Sequence, residues 1–270
     1  MINESSKTPR FAWQPLTPHG VAAFAFASWP RLYLAELFFG LLAMTSLIWF
    51  LNRNISPAIS EALQQLPETA VLQNGELKNL KSKTLASGKI LSLMIDLEEN
   101  IQTGQTVDLQ IEFGKKQFKI CGLLGCLDFN YPADQTMALG RSKSDPWWGA
   151  WRPIILAGIA LAFLLFLFFY WAIFSTLCFS IPKIFAYFAD RELSWPGSWR
   201  LASAAQMPGA FLFAAAIFLY GLNMIDLIHF GILLGLHFIS GWIYLGAAPF
   251  FLPRISETLS AQPNPFSMEN

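Results

Sequence analysis

Long apolar runs dominate the chain and predict four helices that cross a membrane. A helix needs about 20 mostly apolar residues to span the hydrocarbon core of a bilayer. One run has no charged residue from Ile154 to Ile181, whereas the stretch from Pro208 to Leu252 is too long for a single span. Gly221, Asn223 and Asp226 break that stretch into two helices. The predicted spans are residues 32–52, 152–181, 200–222 and 227–251.

Between the first two spans, the pattern changes to one typical of β-strands. Val107, Leu109, Ile111 and Phe113 alternate with polar residues, as in a strand with one buried face. The dipeptide at 74–75, Asn-Gly, is a strong hairpin signal. A cap followed by proline at Ser56 and Pro57 predicts a short helix that begins afresh after the first span. We therefore predict that residues 53–150 form a small α+β domain with one sheet of five or six strands.

Short segments flank these elements. Residues 1–16 are polar and predict a flexible leader, while 17–30 predicts a helix that begins at Thr17 and ends at Pro30. This helix is too short to span and is expected to lie in the membrane interface. The remaining segments are a loop at 182–199 and a tail at 252–270.

Basic residues beside the spans predict the orientation. Lys and Arg near the ends of membrane helices favour the cytoplasmic side. All the short flanks that carry them fall on one side of a four-span chain, namely Lys7, Arg10, Arg31, Lys183, Arg191, Arg200 and Arg254. Both termini are therefore predicted to be cytoplasmic, and residues 53–150 are predicted to lie outside the inner (cytoplasmic) membrane of the cell.

Aromatic and basic residues at the span ends match the expected depth of the lipid headgroups. Tryptophan and tyrosine favour this level because one end of each ring system is apolar and the other polar. The predicted interface anchors are Trp29, Arg31, Trp147, Trp148, Trp151, Arg152, Trp199 and Arg200. The cluster at 147–151 is also open to interpretation as a binding platform.

Composition supports a membrane protein. Hydrophobic residues make up 54% and charged residues 13% of the chain, about half the charge of a typical soluble domain. Lys and Arg together number 18, and so do Asp and Glu, which leaves none of the basic excess that a nucleic-acid partner requires. The same figures exclude a disordered chain and a disulfide-rich mini-protein.

Two of the three cysteines lie in the predicted outer domain. Cys121 and Cys126 are close enough in sequence for a disulfide in an oxidising compartment, and Gly122 and Gly125 favour a tight loop between them. In a flat strand, however, their Cα atoms would be more than about 7 Å apart and no bond would form. The third, Cys178, reads as a small hydrophobic residue of the second span.

Ionisable residues at membrane depth are candidate functional groups. Glu36 lies early in the first span, and Asp226, His229 and His237 lie in or near the fourth. Glu36 is placed to meet Arg31, Arg200 or water, as a packing contact or as an ion site. Asp226 is a candidate N-cap, and the three residues of the fourth span are also imaginable as a proton path. Hydrogen bonds between helices are the alternative role for all four.

Motifs of common enzymes are missing from the sequence. It contains no G-x-S-x-G, P-loop, G-x-G-x-x-G or H-E-x-x-H pattern. The predicted outer domain has no histidine to act as a base or as a zinc ligand. We therefore expect a protein that is not an enzyme, with no catalytic residue, metal or cofactor.

One local pattern resembles a family. Leu66-Pro67, followed by Asn74-Gly75-Glu76-Leu77 and then the 90–97 strand, is similar to a pattern in an uncharacterised bacterial family of integral membrane proteins. The resemblance implies one helix, an external β-rich domain and then a helical bundle. It implies no activity and no site residues.

Two functions fit these features. The first is a non-enzymatic binding, assembly or sensing protein, anchored in the lipid bilayer, whose outer domain contacts a protein partner through residues 55–145. The second is a subunit of an oligomeric transporter or channel that uses Glu36 at membrane depth. A homo-oligomer is compatible with both functions.

Overall fold

The computed structural model describes residues 14–97, 107–133 and 136–255. They form two compact units. The helical unit combines the described chain up to Met44 with Phe163–Ala216 and the segment from Gly231 onward, and the sheet unit combines Thr45–Ala162 with Ile217–Phe230. The helices are α1 (Pro18–Ala23), α2 (Trp29–Phe50), α3 (Ser56–Gln64), α4 (Arg141–Cys178), α5 (Ser180–Phe188), α6 (Trp195–Ala204), α7 (Met207–Gly221) and α8 (Leu227–Ala247).

Four helical segments are long and apolar enough to cross a membrane, as the sequence predicts. They are Trp29–Gln64, Arg141–Cys178, Trp195–Gly221 and Leu227–Phe251. The third is the most enclosed, because 72% of its most apolar stretch is buried within the protein. The corresponding buried share of the second segment is 6%. The second segment therefore offers most of its apolar surface to the surroundings.

The first segment continues past Asn52 and Arg53, where the sequence predicted its end. The helix predicted to begin separately at Ser56 is a continuation of it. A π-helical turn, Leu51–Ile55, joins α2 directly to α3. Pro57 has no N–H to donate to the carbonyl four residues earlier, and the wider turn accommodates its ring. The N–H of Ser56 donates to the carbonyl of Leu51 instead, so the helix continues through the proline.

The second segment begins at Arg141 rather than at the predicted residue 152. Glu68 caps this earlier start, because its carboxylate accepts from the backbone N–H of Ser142 at 3.1 Å and from its hydroxyl at 2.6 Å. The same bonds lower the pKa of Glu68, the hydroxyl contributing most. A negative charge at a helix N-terminus is favourable. Residues Trp147 to Arg152 accordingly lie within α4, not in a loop before it.

The predicted loop at 182–199 is largely helical, because α5 occupies its first part and α6 begins at Trp195. Ser194 caps α6 by accepting from the N–H of Gly197 at 3.1 Å. The predicted third span is divided into α6 and α7 at Ala205 and Gln206. The fourth consists of α8 and a 3-10 turn at Ala248–Phe251.

The segment at 17–30 is not a single helix, and it packs against the helical unit. Thr17 caps α1, which passes into a 3-10 turn at Phe24–Phe26. Pro30 then stands in the first turn of α2, where proline is favoured, instead of ending a helix. Val21 and Ala25 are buried in the core of the helical unit. The segment therefore consists of two short helical turns, not one helix that ends at Pro30, and its interfacial position stays a prediction.

Strand pairing in the sheet unit gives two sheets, where the sequence predicted one. The described strands are β1 (Val71–Gln73), β2 (Glu76–Lys78), β3 (Lys83–Ser87), β4 (Leu91–Ile95), β5 (Leu109–Phe113), β6 (Gln117–Gly122), β7 (Gly125–Asn130) and β8 (Thr136–Ala138). The sheet of order β2-β1-β8 is antiparallel, whereas the sheet of order β3-β4-β5-β6-β7 has one parallel pair, β4 with β5. The sequence pattern missed β3 and β8.

A single helix covers one end of the five-stranded sheet. Ala58 and Ala62 of α3 pack on Leu91, Leu93 and Ile95 of β4, all of which are buried. The apolar side chains of β5 on the same face are partly buried against this core. The covering layer therefore lies over the β3–β4 side of the sheet and thins towards β6 and β7.

Candidate functional site

Glu36 is a buried carboxylic acid on a helix that is apolar enough to cross a membrane. It is 3% exposed, and its Oε1 accepts a hydrogen bond from the hydroxyl of Ser203 on α6. Arg200, one turn away from Ser203, instead donates to the carbonyl of Ala25 at 2.6 Å and lies over the ring of Trp29. The structure thus places Glu36 against a hydroxyl rather than a guanidinium.

The helix break beside Ser203 adds a second polar group. Gln206 is 6% exposed, and its Nε2 has no hydrogen-bond partner among the described residues. Its side chain packs against Gly241 of α8. A Cβ added to this glycine would lie 2.8 Å from Nε2. Irregular backbone at membrane depth is tolerated where protein encloses it. Ala204, Ala205 and Met207, all fully buried, supply that enclosure.

Asp226 and His229 come together at the start of α8. Oδ1 of Asp226 accepts from the backbone N–H of His229 at 2.8 Å and lies 2.8 Å from its ring Nδ1. The backbone bond contributes most to lowering the pKa of Asp226, and the ring adds to it. Both side chains are mostly exposed. The arrangement is an N-cap with an attached histidine.

His237 makes different contacts, within the helical unit. Its Nδ1 lies 3.2 Å from the carbonyl of Leu234, and its ring packs against Phe213 and Phe238. It lines an apolar cavity of 220 Å³ together with Tyr170 and Trp171. Aromatic packing and a local carbonyl contact are the interactions that the structure gives this histidine.

The predicted interface anchors divide into two groups of contacts. In the helical unit, Trp29 packs against Trp199 at 5.3 Å and under the Arg200 guanidinium at 5.4 Å. Arg31 lies over the ring of Phe24 at 5.9 Å. These cation–π and ring contacts join residues that the sequence predicted only as separate interface anchors.

In the sheet unit, the other anchors tie α4 to the preceding helical segment. The indole N–H of Trp148 donates to the hydroxyl of Ser60 at 3.0 Å, and Arg152 donates to the side chain of Asn52. Trp147 and Trp151 stack on each other at 6.4 Å and are exposed. The cluster at 147–151 therefore has one bonded member and two that face outward.

Exposed apolar residues gather on the β6–β7 hairpin. Leu123, Leu124, Leu127 and Phe129, here named the hairpin apolar surface, have exposed fractions of 62%, 101%, 66% and 42%. Phe129 stacks on Phe118 at 5.1 Å. The pairing register places Leu127 and Phe129 on the sheet face that α3 covers further along. The surface is therefore an uncovered continuation of the apolar sheet face.

The backbone of β7 is open on its outer side. Among the described strands, β7 pairs with β6 and with no other, so it is an edge. Cys121 and Cys126 face each other at a Cα–Cα distance of 4.0 Å, typical of a pair whose N–H and C=O groups point away from the partner strand. By alternation, Cys126, Asp128 and Asn130 direct their backbone groups to the open edge.

Cys121 and Cys126 form a disulfide. The objection from a flat strand does not apply, because the two cysteines lie on opposite strands of a hairpin and face each other. The bond closes the hairpin just behind its tip. Gly125 completes the turn with a φ of 111°, a conformation that favours glycine.

Several residues that organise these sites escaped the sequence patterns. Ser203 and Gln206 are ordinary polar residues in a stretch rich in alanine. Asp108 accepts a hydrogen bond from the hydroxyl of Tyr220 at 2.7 Å, across a long sequence separation that no local pattern reveals. The run Gly122-Leu123-Leu124-Gly125 between the cysteines was the available signal for the hairpin tip. In the described part of the chain, no cluster of His, Cys, Asp or Glu is suited to hold a metal ion.

Comparisons with known proteins give no relative: no family model, curated protein sequence or solved structure matches the chain.

We predict that Ser203→Ala destabilises the protein by about 1–3 kcal/mol, because the Glu36 carboxyl group loses its hydrogen-bond donor while it remains buried. Thermal unfolding in detergent measures this effect as a lower Tm. Ser175→Ala is the matched control: Ser175 is equally buried, but its hydroxyl donates to a carbonyl of its own helix at 2.7 Å. Equal Tm values for Ser203→Ala and the parent would show that this bond contributes nothing.

Proposed function

We propose that the four apolar segments cross a bacterial inner membrane, with both termini in the cytoplasm and the β-rich region outside. Basic residues in the flanks of the spans support this orientation. The bond between Cys121 and Cys126 also supports it, because disulfides persist in oxidising compartments outside the cytoplasm. The sequence resemblance to a bacterial membrane-protein family agrees with this location.

We infer that the protein is a non-enzymatic binding or assembly protein that captures a partner polypeptide along β7. The observation that carries this inference is an edge strand whose backbone is open while its apolar side chains are exposed. An extended peptide adds to such an edge by main-chain hydrogen bonds, and alternate side chains give specificity. This surface lies within residues 55–145, the segment expected to contact a partner.

The side chains of β7 define the chemistry of the partner. Its residues opposite Leu127 and Phe129 would be apolar, because they extend the uncovered apolar face. Its residue opposite Asp128 would be basic, because an opposite charge across a strand pair is favourable. The partner segment is therefore an extended strand with a Lys or Arg between two apolar residues.

Asp128 also explains why the edge would not pair indiscriminately. Natural edge strands commonly carry a charge that discourages contact with other edges. Strand β7 has Asp128 in its middle, and Pro132 follows soon after its end. A partner with the complementary charge overcomes that barrier, whereas an apolar or acidic strand does not.

We predict that Asp128→Pro abolishes partner binding and leaves the sheet intact. Proline removes an N–H that points to the open edge, a place where sheets tolerate it. Asp128→Glu is the control, because it keeps both the N–H and the negative charge. In native membranes, an amine-reactive crosslinker is expected to join the partner to Lys119, which lies across from Asp128, and mass spectrometry identifies the joined peptide.

The crosslink is expected in the parent and in Asp128→Glu but not in Asp128→Pro. Equal crosslinking in Asp128→Pro would contradict strand addition. A crosslinked peptide without alternating apolar residues would contradict the proposed partner chemistry.

A second candidate function is an oligomeric transporter or channel subunit centred on Glu36. The observation that favours it is a buried carboxyl group beside a broken helix, an arrangement that transporters use for ion and substrate sites. Four helices enclose little space for a pathway, so this function requires several copies.

Glu36→Gln separates the two functions. Under the binding proposal, we predict that ion flux in proteoliposomes, followed with a pH-sensitive dye inside the vesicles, equals that of protein-free vesicles for both the parent and the variant. Flux in the parent that Glu36→Gln abolishes would establish the transporter function instead. Ser175→Ala serves as the control for a buried substitution without a change of charge.

A further inference from the structure

The tip of the β6–β7 hairpin consists of leucines, where hairpin turns ordinarily carry Asn, Asp or Gly. Leu124 is fully exposed, and Leu123 is largely exposed. The disulfide closes the hairpin immediately behind them. Two apolar side chains are thus held at the end of a stiff projection, with no described protein group over Leu124.

This tip lies beside the first residues of α8. Leu123 lines a cleft of 420 Å³ together with Leu227 and Ile228. Ile228 is itself 60% exposed. Because α8 is apolar enough to cross a membrane, its first turn marks the level at which the bilayer begins. The hairpin tip therefore reaches the same level.

A specific contact fixes the sheet at that level. Tyr220, near the end of α7, donates its hydroxyl to Asp108 at 2.7 Å and stacks against Phe230 at 4.6 Å. Asp108 directly precedes β5, and Gln110 of β5 pairs with Cys121 beside the tip. The end of the sheet that carries the tip is thus the end joined to the helix.

The surroundings of the tip have the composition of a membrane interface. Lys89 and Asp226 line the cleft, at a depth where lipid headgroups would meet them. Leu222 and Met224, in the turn between α7 and α8, are exposed apolar residues. Charges and exposed apolar side chains at one level are typical of the boundary between headgroups and acyl chains.

We propose that the hairpin tip, Leu123 and Leu124, inserts into the outer leaflet of the bilayer. This inference rests on the proposed four-span topology. Insertion removes both leucines from water, and the disulfide limits the conformational entropy that the tip loses. The sheet is then anchored at two points, by Tyr220 and by the tip, so β7 is presented at a fixed height above the membrane.

The experiment places a photoreactive benzophenone side chain at position 124 of the full chain. The protein is reconstituted into vesicles of unsaturated phosphatidylcholine and phosphatidylglycerol and then irradiated, and intact-mass spectrometry detects a gain of one phospholipid. Position 115 is the negative control, because Lys115 is exposed in the β5–β6 turn at the opposite end of these strands. Position 228 reports separately whether the start of α8 lies in lipid.

Lipid adducts at positions 124 and 228, without one at 115, are the expected result. An adduct at 228 but not at 124 would overturn tip insertion while leaving the membrane topology standing. Crosslinking of position 124 to a second copy of the chain would equally overturn it. Absence of lipid at both 124 and 228 would contradict the topology itself, so the two failures are distinguishable.

Discussion

A polypeptide in hydrocarbon must satisfy each backbone N–H and C=O group within the protein, and the rest of this structure follows from that constraint. In the described chain, helices supply the apolar segments, while the strands are confined to the region between α3 and α4. Two irregular places in the helices illustrate the same rule. At the π turn, the side chain of Asn54 donates to the carbonyl of Phe50 at 3.3 Å, and at Ala205 and Gln206 the break lies in the most enclosed of the four segments.

The helix break between α6 and α7 lies beside the buried carboxyl group of Glu36. Ser203, in the last turn of α6, donates to Glu36, and Gln206 occupies the break itself. Polar groups of this kind are costly at membrane depth and are retained where they fix helix contacts or serve function. The single hydroxyl partner of Glu36 favours a fixed helix contact, and the open edge of β7 with its exposed apolar side chains is the stronger support for the proposed function.

The length of the apolar runs and the spacing of apolar residues were sufficient to predict the four apolar segments, because hydropathy over a full span is a strong signal. They were insufficient for the ends of the helices. Arg141 begins α4 because Glu68, distant in sequence, caps it, and α2 continues past Arg53 because a π turn accommodates Pro57. Both effects depend on residues far apart in the chain or on backbone geometry that no period encodes.

The candidate sites also divide into features that the sequence pattern predicted and features that it did not. Asp226 was recognisable as a cap from its position before an apolar run, and the structure gives it that bond. The hairpin apolar surface was not recognisable, because exposure depends on where α3 stops covering the sheet. Glycines of the helices also differ in ways that no pattern reveals: a Cβ at Gly231 or Gly235 would meet nothing within 4 Å, whereas at Gly209 it would lie 2.7 Å from the carbonyl of His237.

The proposed topology places the sheet region outside the membrane and the segment between α5 and α6 inside the cell. A membrane-impermeant maleimide tests this placement in a Cys178→Ala background, with one cysteine introduced at Lys115 or at Glu192, which are both exposed. We expect Lys115→Cys to be labelled in intact cells and Glu192→Cys to be labelled after permeabilisation alone. Labelling of both from outside, or of Glu192→Cys by itself, would contradict it.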